Sequence, residues 1–256
     1  MKNSPVAVIT GGSRGLGYAL ARALACAGYS LVIDGRDEAA LRAAAATLTT
    51  GPGTGTSAAR EPAGADGPVI ALPGDIADPA HRAELRAAAV ALGGASLLVN
   101  NAGTLGASPL PALADYPVDA LRDALEVNVL APVALTQLLL PDLRRAGGAV
   151  LCVTSDAAVE AYAGWGGYGA AKAALEQACN VLAAEESAVR VWWVDPGDLR
   201  TDLHQQAFPG EDISDRPLPA AVTPGFLRLI SERMPSGRYR AAELMPAGTR
   251  VPEAPA

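Results

Sequence analysis

Histidine, cysteine and aromatic rings are all scarce in this 256-residue chain. Two histidines, His81 and His204, are too few for a multi-histidine metal centre, and they leave a Ser-His-Asp triad short of candidates. The three cysteines, Cys26, Cys152 and Cys179, are odd in number, far apart and not in Cys-x-x-Cys form. That argues against a disulfide framework and for a reducing, cytoplasmic setting. Twenty Lys and Arg stand against 27 Asp and Glu, a net charge of −7 with no basic cluster. Neither nucleic acid nor an anionic membrane surface is therefore expected as a partner. No apolar run reaches the roughly 18 residues needed to span a bilayer, and the stretch after Pro5 is too short for a signal peptide. Aromatic residues make up 4% of the chain, whereas half of it is hydrophobic and 55 residues are Ala. Small side chains let layers pack closely but leave few large groups to shape a pocket.

What is present is a regular alternation. Short β-rich apolar runs at 6–10, 30–34, 69–72, 96–100, 149–154 and 189–194 read as strands. Ala/Leu-rich stretches at 15–27, 37–48, 79–92, 117–145 and 166–186 read as helices, the fourth with breaks expected near Pro132 and Pro141. Near-continuous apolar strands suit burial on both faces. The pattern predicts an α/β fold in one domain over 1–256: a Rossmann-like, doubly wound parallel sheet of six or seven strands with helices on both faces. Three segments break the rhythm. The Gly/Pro/Thr-rich stretch 49–68 reads as a flexible insertion, 246–256 as a frayed tail, and 198–224 as a substrate loop.

The residues that carry chemistry fall at strand ends. Thr10-Gly11-Gly12-Ser13-Arg14-Gly15-Leu16-Gly17 follows the first strand and opens a helix. Glycines there let backbone N–H groups approach a pyrophosphate without interference from a β-carbon. At the end of the second strand both an acid, Asp34, and a base, Arg36, stand where an adenosine ribose would lie. Arg36 together with Arg14 suits a 2′-phosphate, so NADP(H) is favoured over NAD(H); the alternative is a solvated Arg36 with Asp34 on the ribose. Asp75-Ile76 and Asn101-Ala102-Gly103 occupy the ends of the third and fourth strands, where ligands of open α/β sheets bind. Tyr168 and Lys172, four apart, share one helix face, and Ser155 closes the fifth strand. An ammonium near a phenol is expected to lower its pKa toward the range useful for proton transfer.

Together these stretches resemble the short-chain dehydrogenase/reductase family, in its single-domain form of about 250 residues. The resemblance runs in order from Thr10 to Thr201 through Asn100–Gly103, Asn128, Ser155, Tyr168, Lys172 and the Pro196-Gly197 stretch. It implies that Tyr168 exchanges a proton with a carbonyl or alcohol oxygen that Ser155 holds. Lys172 would tune the phenol and bind the nicotinamide ribose, Asn128 would hold a relay water, and Pro196, Gly197 and Thr201 would flank the nicotinamide. A homodimer or homotetramer is also implied, although Ser236–Arg240 lacks the Asp-Gly-Gly ending often seen in tetrameric members. The alternative on the same fold is a non-catalytic NADPH-binding regulator.

Six of the eleven aromatics, Tyr162, Trp165, Tyr168, Trp192, Trp193 and Phe208, lie from just after Ser155 into the substrate loop. Tyr162, Trp165 and His204 are the expected substrate contacts, although an irregular segment more often turns a histidine such as His204 to solvent. His81, in a first helical turn after Asp78-Pro79, is expected at the surface, and Cys152 in the core.

Overall fold

In the computed structural model, which describes residues 4–50 and 67–245, every strand joins one parallel sheet. The strands are β1 (Val6–Ile9), β2 (Ser30–Gly35), β3 (Val69–Pro73), β4 (Leu97–Asn100), β5 (Ala149–Val153), β6 (Arg190–Asp195) and β7 (Gly237–Arg240), in spatial order β3-β2-β1-β4-β5-β6-β7. The chain winds outward from β1 to β3, then returns beside β1 as β4 (Ala7 opposite Leu97) and winds the other way. That reversal opens a crevice at the carboxyl ends of β1 and β4.

Alternate residues of each strand enter opposite cores. Ala7, Ile9, Leu31 and Trp192 pack with helices α1 (Gly15–Cys26), α2 (Glu38–Thr50) and α8 (Thr223–Ser231), whereas Val6, Val8, Val32 and Trp193 pack on the other face. That second face is covered by α3 (Pro79–Ala91), α5 (Ala131–Ala146) and α6 (Gly166–Glu185). Leu16, Leu20 and Leu24 recur every four residues along α1, which gives it one buried stripe. Asp78 caps α3 by accepting from the Ala80 N–H at 2.8 Å, with Pro79 in its first turn. Cys152 is buried as expected.

The departures from expectation are local. β7 is a short, polar edge strand, a composition that conceals it in the sequence and protects a sheet edge. The fourth helix does not break at its prolines. α4 (Val118–Leu125) passes into α5 through a π turn at Glu126–Leu130, Pro132 occupies the first turn of α5, and the helix runs on through Pro141. The resulting helix, Val118–Ala146, passes a length and composition test for crossing a membrane, as a packed core helix also can, and its Leu135, Leu139 and Leu143 lie in the core. The stretch 198–224 is not all loop: it holds α7 (Asp202–Ala207) and leads into α8. Of the expected insertion, 51–66 lie outside the described residues, as does the tail 246–256.

Candidate active site

A cavity of about 900 Å³ follows the carboxyl edge of the sheet from the glycine turn to α7. Its first wall is main chain. Gly11 and Gly15 have φ of +66° and +58°, the region glycine enters without strain. Gly17 does not line the cavity; a Cβ there would overlap the Gly11 carbonyl oxygen, so this glycine lets α1 start hard against the turn. The Asn101 amide donates to the carbonyls of Thr10 (2.8 Å) and Gly11 (3.3 Å), while Thr10 Oγ1 accepts the N–H groups of Asn101 and Ala102, both at 3.0 Å. The Asn101 side chain thus stitches β4 to the turn. Ser13, Leu16, Ala102 and Gly103 line the cavity, and the Arg14 guanidinium crosses to Asp202 on α7 at 3.1 Å.

The second wall comes from β2 and β3. Asp34 is only 2% exposed: Gly11 N–H donates to its Oδ1 at 2.7 Å, and His81 Nε2 stands 3.2 Å from its Oδ2. Arg36 is exposed at the rim beside it. Asp75 and Ile76 also line the cavity, Asp75 Oδ1 accepting from Ala77 N–H at 2.9 Å. His81 is not at the surface as expected but 4% exposed, because the missing Cβ of Gly74 leaves room for its ring.

Beyond β5 the walls become side chains. Ser155 lies just past the strand, its Oγ donating to Asp156 Oδ1 (2.9 Å) and accepting from Ala157 N–H (3.2 Å). Tyr168 and Lys172 are both buried on α6, with Lys172 Nζ 5.5 Å from the Tyr168 ring centroid and donating to Val153 O at 2.8 Å. Burial lowers the Lys172 pKa to about 8. Burial also raises the Tyr168 pKa, assisted by the negative charges of Asp195 and Asp156. The expected lowering of the phenol by lysine is therefore reversed: desolvation of the phenolate outweighs an ammonium already tied to a carbonyl. Asn128, fully buried in the π turn, accepts from Thr104 N–H (3.2 Å) and donates to Thr104 O (2.8 Å), pinning the loop after β4.

Four groups around Ser155 lie outside the sequence expectations. Arg238 of β7 donates to Glu176 of α6 (3.0 Å) and to the Ser155 carbonyl (3.2 Å), and Thr154 Oγ1 donates to the same Glu176 (2.8 Å). Asp195, at the end of β6, accepts from Gly197 N–H at 2.9 Å and lines the cavity. Only its place at a strand end could have flagged it.

At the far end, Trp165 meets Tyr168 edge-on at 5.7 Å and Phe208 at 6.0 Å, and the His204 ring lies 4.9 Å from Phe208. His204 is not turned to solvent. His204 is among the residues that line the cavity, its side chain is 9% exposed, and Nε2 is buried with no hydrogen-bond partner among the described residues. Burial lowers its pKa. Tyr162 lines the mouth, exposed, its hydroxyl donating to Asp156 Oδ2 at 3.0 Å. Pro196, Gly197 and Thr201 complete the wall; Thr201 caps α7 and faces Gly15 across the groove. Trp192 and Trp193 belong to the two cores and do not line the cavity.

Known proteins resemble this chain in sequence and fold. A family model described as short chain dehydrogenase matches residues 5–212. Oxidoreductase YciK of Escherichia coli (strain K12) is 30% identical over 234 residues, which cover 90% of this chain and 87% of that protein. Sepiapterin reductase of Meriones unguiculatus is 34% identical over 222 residues, covering 79% of this chain and 77% of the relative. A solved structure described as a short chain dehydrogenase of Shigella flexneri 2a complexed with NADP is 28% identical and superposes with a TM-score of 0.80 over 93% of this chain and 97% of that one. The chain belongs to the short-chain dehydrogenase family of oxidoreductases.

Proposed function

We propose that the chain is an NADP(H)-dependent oxidoreductase that interconverts a small-molecule carbonyl and its alcohol, with Tyr168 as the general acid and base. The observation that carries this reading is one continuous cavity with a glycine-turn cradle at one end and the buried Tyr168–Lys172 pair further along. The residues fit a dinucleotide. Gly11 and Gly15 present a wall without β-carbons to a pyrophosphate, and Asp75, Ile76, Ala102 and Gly103 border the adenine side. Tyr168, Lys172, Pro196, Gly197 and Thr201 border the nicotinamide side. A nicotinamide dinucleotide bound there supplies or accepts the hydride.

The chain's own residues manage the oxygen and its proton. A buried tyrosine with a raised pKa is protonated at neutral pH, the form needed to give a proton to a carbonyl oxygen. Ser155 lines the same cavity and would hold that oxygen by turning its O–H from Asp156 to the substrate. The Lys172 ammonium below the ring stabilises the phenolate left behind. A Cβ on Gly103 would sit 2.9 Å from Asn128 Oδ1 and 3.8 Å from Lys172 Nζ. Glycine there keeps a side chain from crowding Asn128 and Lys172, the two groups that the family resemblance links through a relay water.

Asp34 supports the choice of NADP(H). Both of its oxygens are engaged inside the protein, which removes the acid that would chelate a ribose diol and leaves Arg36 at the rim for a 2′-phosphate. NADP in the Shigella flexneri structure agrees with this. The test is consumption of NADPH and NADH across a panel of ketones, aldehydes and quinones. NADPH should be used in preference, and Arg36→Ala should reduce that preference about tenfold or more, as expected for a lost charge-assisted contact. Equal or better use of NADH by the unaltered chain contradicts the cofactor assignment. NADPH binding without oxidation of any panel member favours a regulatory binder instead.

A further inference from the structure

Among the described residues, His81 and Asp34 form the most enclosed ion pair, and the chemistry above gives His81 no task. The His81 ring lies in the first turn of α3, with Nε2 3.2 Å from Asp34 Oδ2, while Asp34 Oδ1 accepts the Gly11 N–H at 2.7 Å. A line of contacts therefore runs from the glycine turn, through the end of β2, into α3. A carboxylate this deeply buried demands countercharge and full hydrogen bonding, and the imidazole supplies both. The same turn of α3 supports the neighbouring wall: Arg82 Nη1 donates to the Ile76 carbonyl at 2.6 Å, and a Cβ on Gly74 would overlap the His81 ring. The ring thus packs against the loop whose Asp75 and Ile76 line the cavity, without lining the cavity itself.

We propose that His81 is a positioning residue for the dinucleotide: as an imidazolium it holds the Asp34 carboxylate that aligns the Gly11 N–H, and cofactor affinity follows its protonation. This rests on the reading that the glycine turn binds a nicotinamide dinucleotide. The charged groups around the ring favour the imidazolium. Its hydrogen bond to Asp34 raises the pKa above the ordinary 6.5, and the charges of Asp34, Glu84 and Asp78 add to this against the opposing effect of burial. Glu84 Oε2 is 3.8 Å from Nδ1, so each ring nitrogen faces a carboxylate. β1 and β3, which also pack on α3, carry only apolar residues and one proline. The charged residues of α5 lie at its far end, where Asp142 pairs with Arg145, and Arg144 with Glu186.

The sign follows from the raised pKa. What the imidazolium contributes is fully present below the unfolded-state value and is lost as pH rises through the folded-state value. Binding and protonation are reciprocal: if the charged ring favours NADPH by about fivefold, bound NADPH favours the charged ring by the same factor.

With two histidines in the chain, imidazole NMR titration reads this directly. The spectrum of His81→Gln identifies the signal, because that variant lacks it. The glutamine amide still reaches for Asp34 but cannot titrate. The His81 midpoint in the free protein should lie above 6.5, and saturating NADPH should raise it by about 0.7, the logarithm of fivefold. NADPH dissociation constants measured by fluorescence should weaken about fivefold through that titration in the unaltered chain. His81→Gln should lose this component of the profile and keep the titrations of the 2′-phosphate, near pH 6, and of Lys172, near 8. A midpoint unmoved by NADPH, or superimposed pH profiles for the two proteins, overturns the inference while leaving the cofactor assignment intact. Failure of the unaltered chain to bind either NADPH or NADH overturns both. The wild-type titration needs no variant to fold, since one of only two histidine signals must move.

Discussion

At the glycine-turn end of the cavity the walls are made of main chain and of absent side chains, whereas at the α7 end they are rings. Gly11, Gly15 and Gly17 act through what they lack, Asn101 and Asp34 turn their polar atoms on the backbone of the turn, and Thr10 turns its own on the backbone around the end of β4. Trp165, Phe208 and His204 act through what they present, and the buried His204 Nε2 has no partner of its own among the described residues. The difference separates two tasks. A backbone cradle suits a ligand part that never changes, such as a pyrophosphate, because every atom of the wall is fixed by the fold. A wall of side chains on short irregular segments can change one group at a time, which suits the choice of substrate.

This contrast is sharpened most strongly by Gly17→Ala. The new methyl must push the Gly11 carbonyl or the Asn101 amide, so NADPH affinity should fall about 10–100-fold together with the thermal midpoint. Unchanged affinity, measured by fluorescence titration, would remove the close-approach account of the cradle. Lys172 stands where the two ends meet. Its ammonium has a pKa of about 8, so turnover in the reductive direction should decline above that pH by up to about tenfold per pH unit as the lysine loses its charge. A flat profile between pH 7 and 9.5 would mean that the lysine charge does not assist Tyr168. The smallest effect is expected at the ring-built end. His204→Ala should raise KM severalfold for carbonyls bearing a second polar group, with little change in NADPH binding. An equal loss of NADPH affinity would show that the two ends are not separate.

The same contrast governs what can be read from sequence. The cradle and the Tyr168–Lys172 pair are legible because each depends on local spacing: glycines at a strand-to-helix turn, and two groups one helical turn apart. His81 is not, because its burial depends on Asp34 from β2 and on the missing Cβ of Gly74, neither of which its own helix announces. Arg238 escapes for a related reason. It sits on a short polar edge strand, and only the pairing of β7 with β6, Trp193 opposite Arg238, carries it to the Ser155 carbonyl. The π turn at Glu126–Leu130 misleads in the other direction: prolines at 132 and 141 suggest breaks, yet the irregularity falls around Asn128. The direction of the Tyr168 pKa likewise depends on burial and on Asp195 and Asp156, which a four-residue spacing does not contain.

The account's central claim is that Tyr168 is the proton donor and acceptor in a cavity that also holds the dinucleotide. It is tested most directly by comparing the unaltered chain with Tyr168→Phe for both NADPH binding and NADPH-dependent reduction of a carbonyl that the unaltered chain accepts. Phenylalanine keeps the ring against Trp165 and removes only the hydroxyl. NADPH should bind within about twofold of the unaltered chain, while turnover falls by about 10²–10⁴-fold, the contribution of a positioned general acid. Retention of full turnover by Tyr168→Phe would contradict the account.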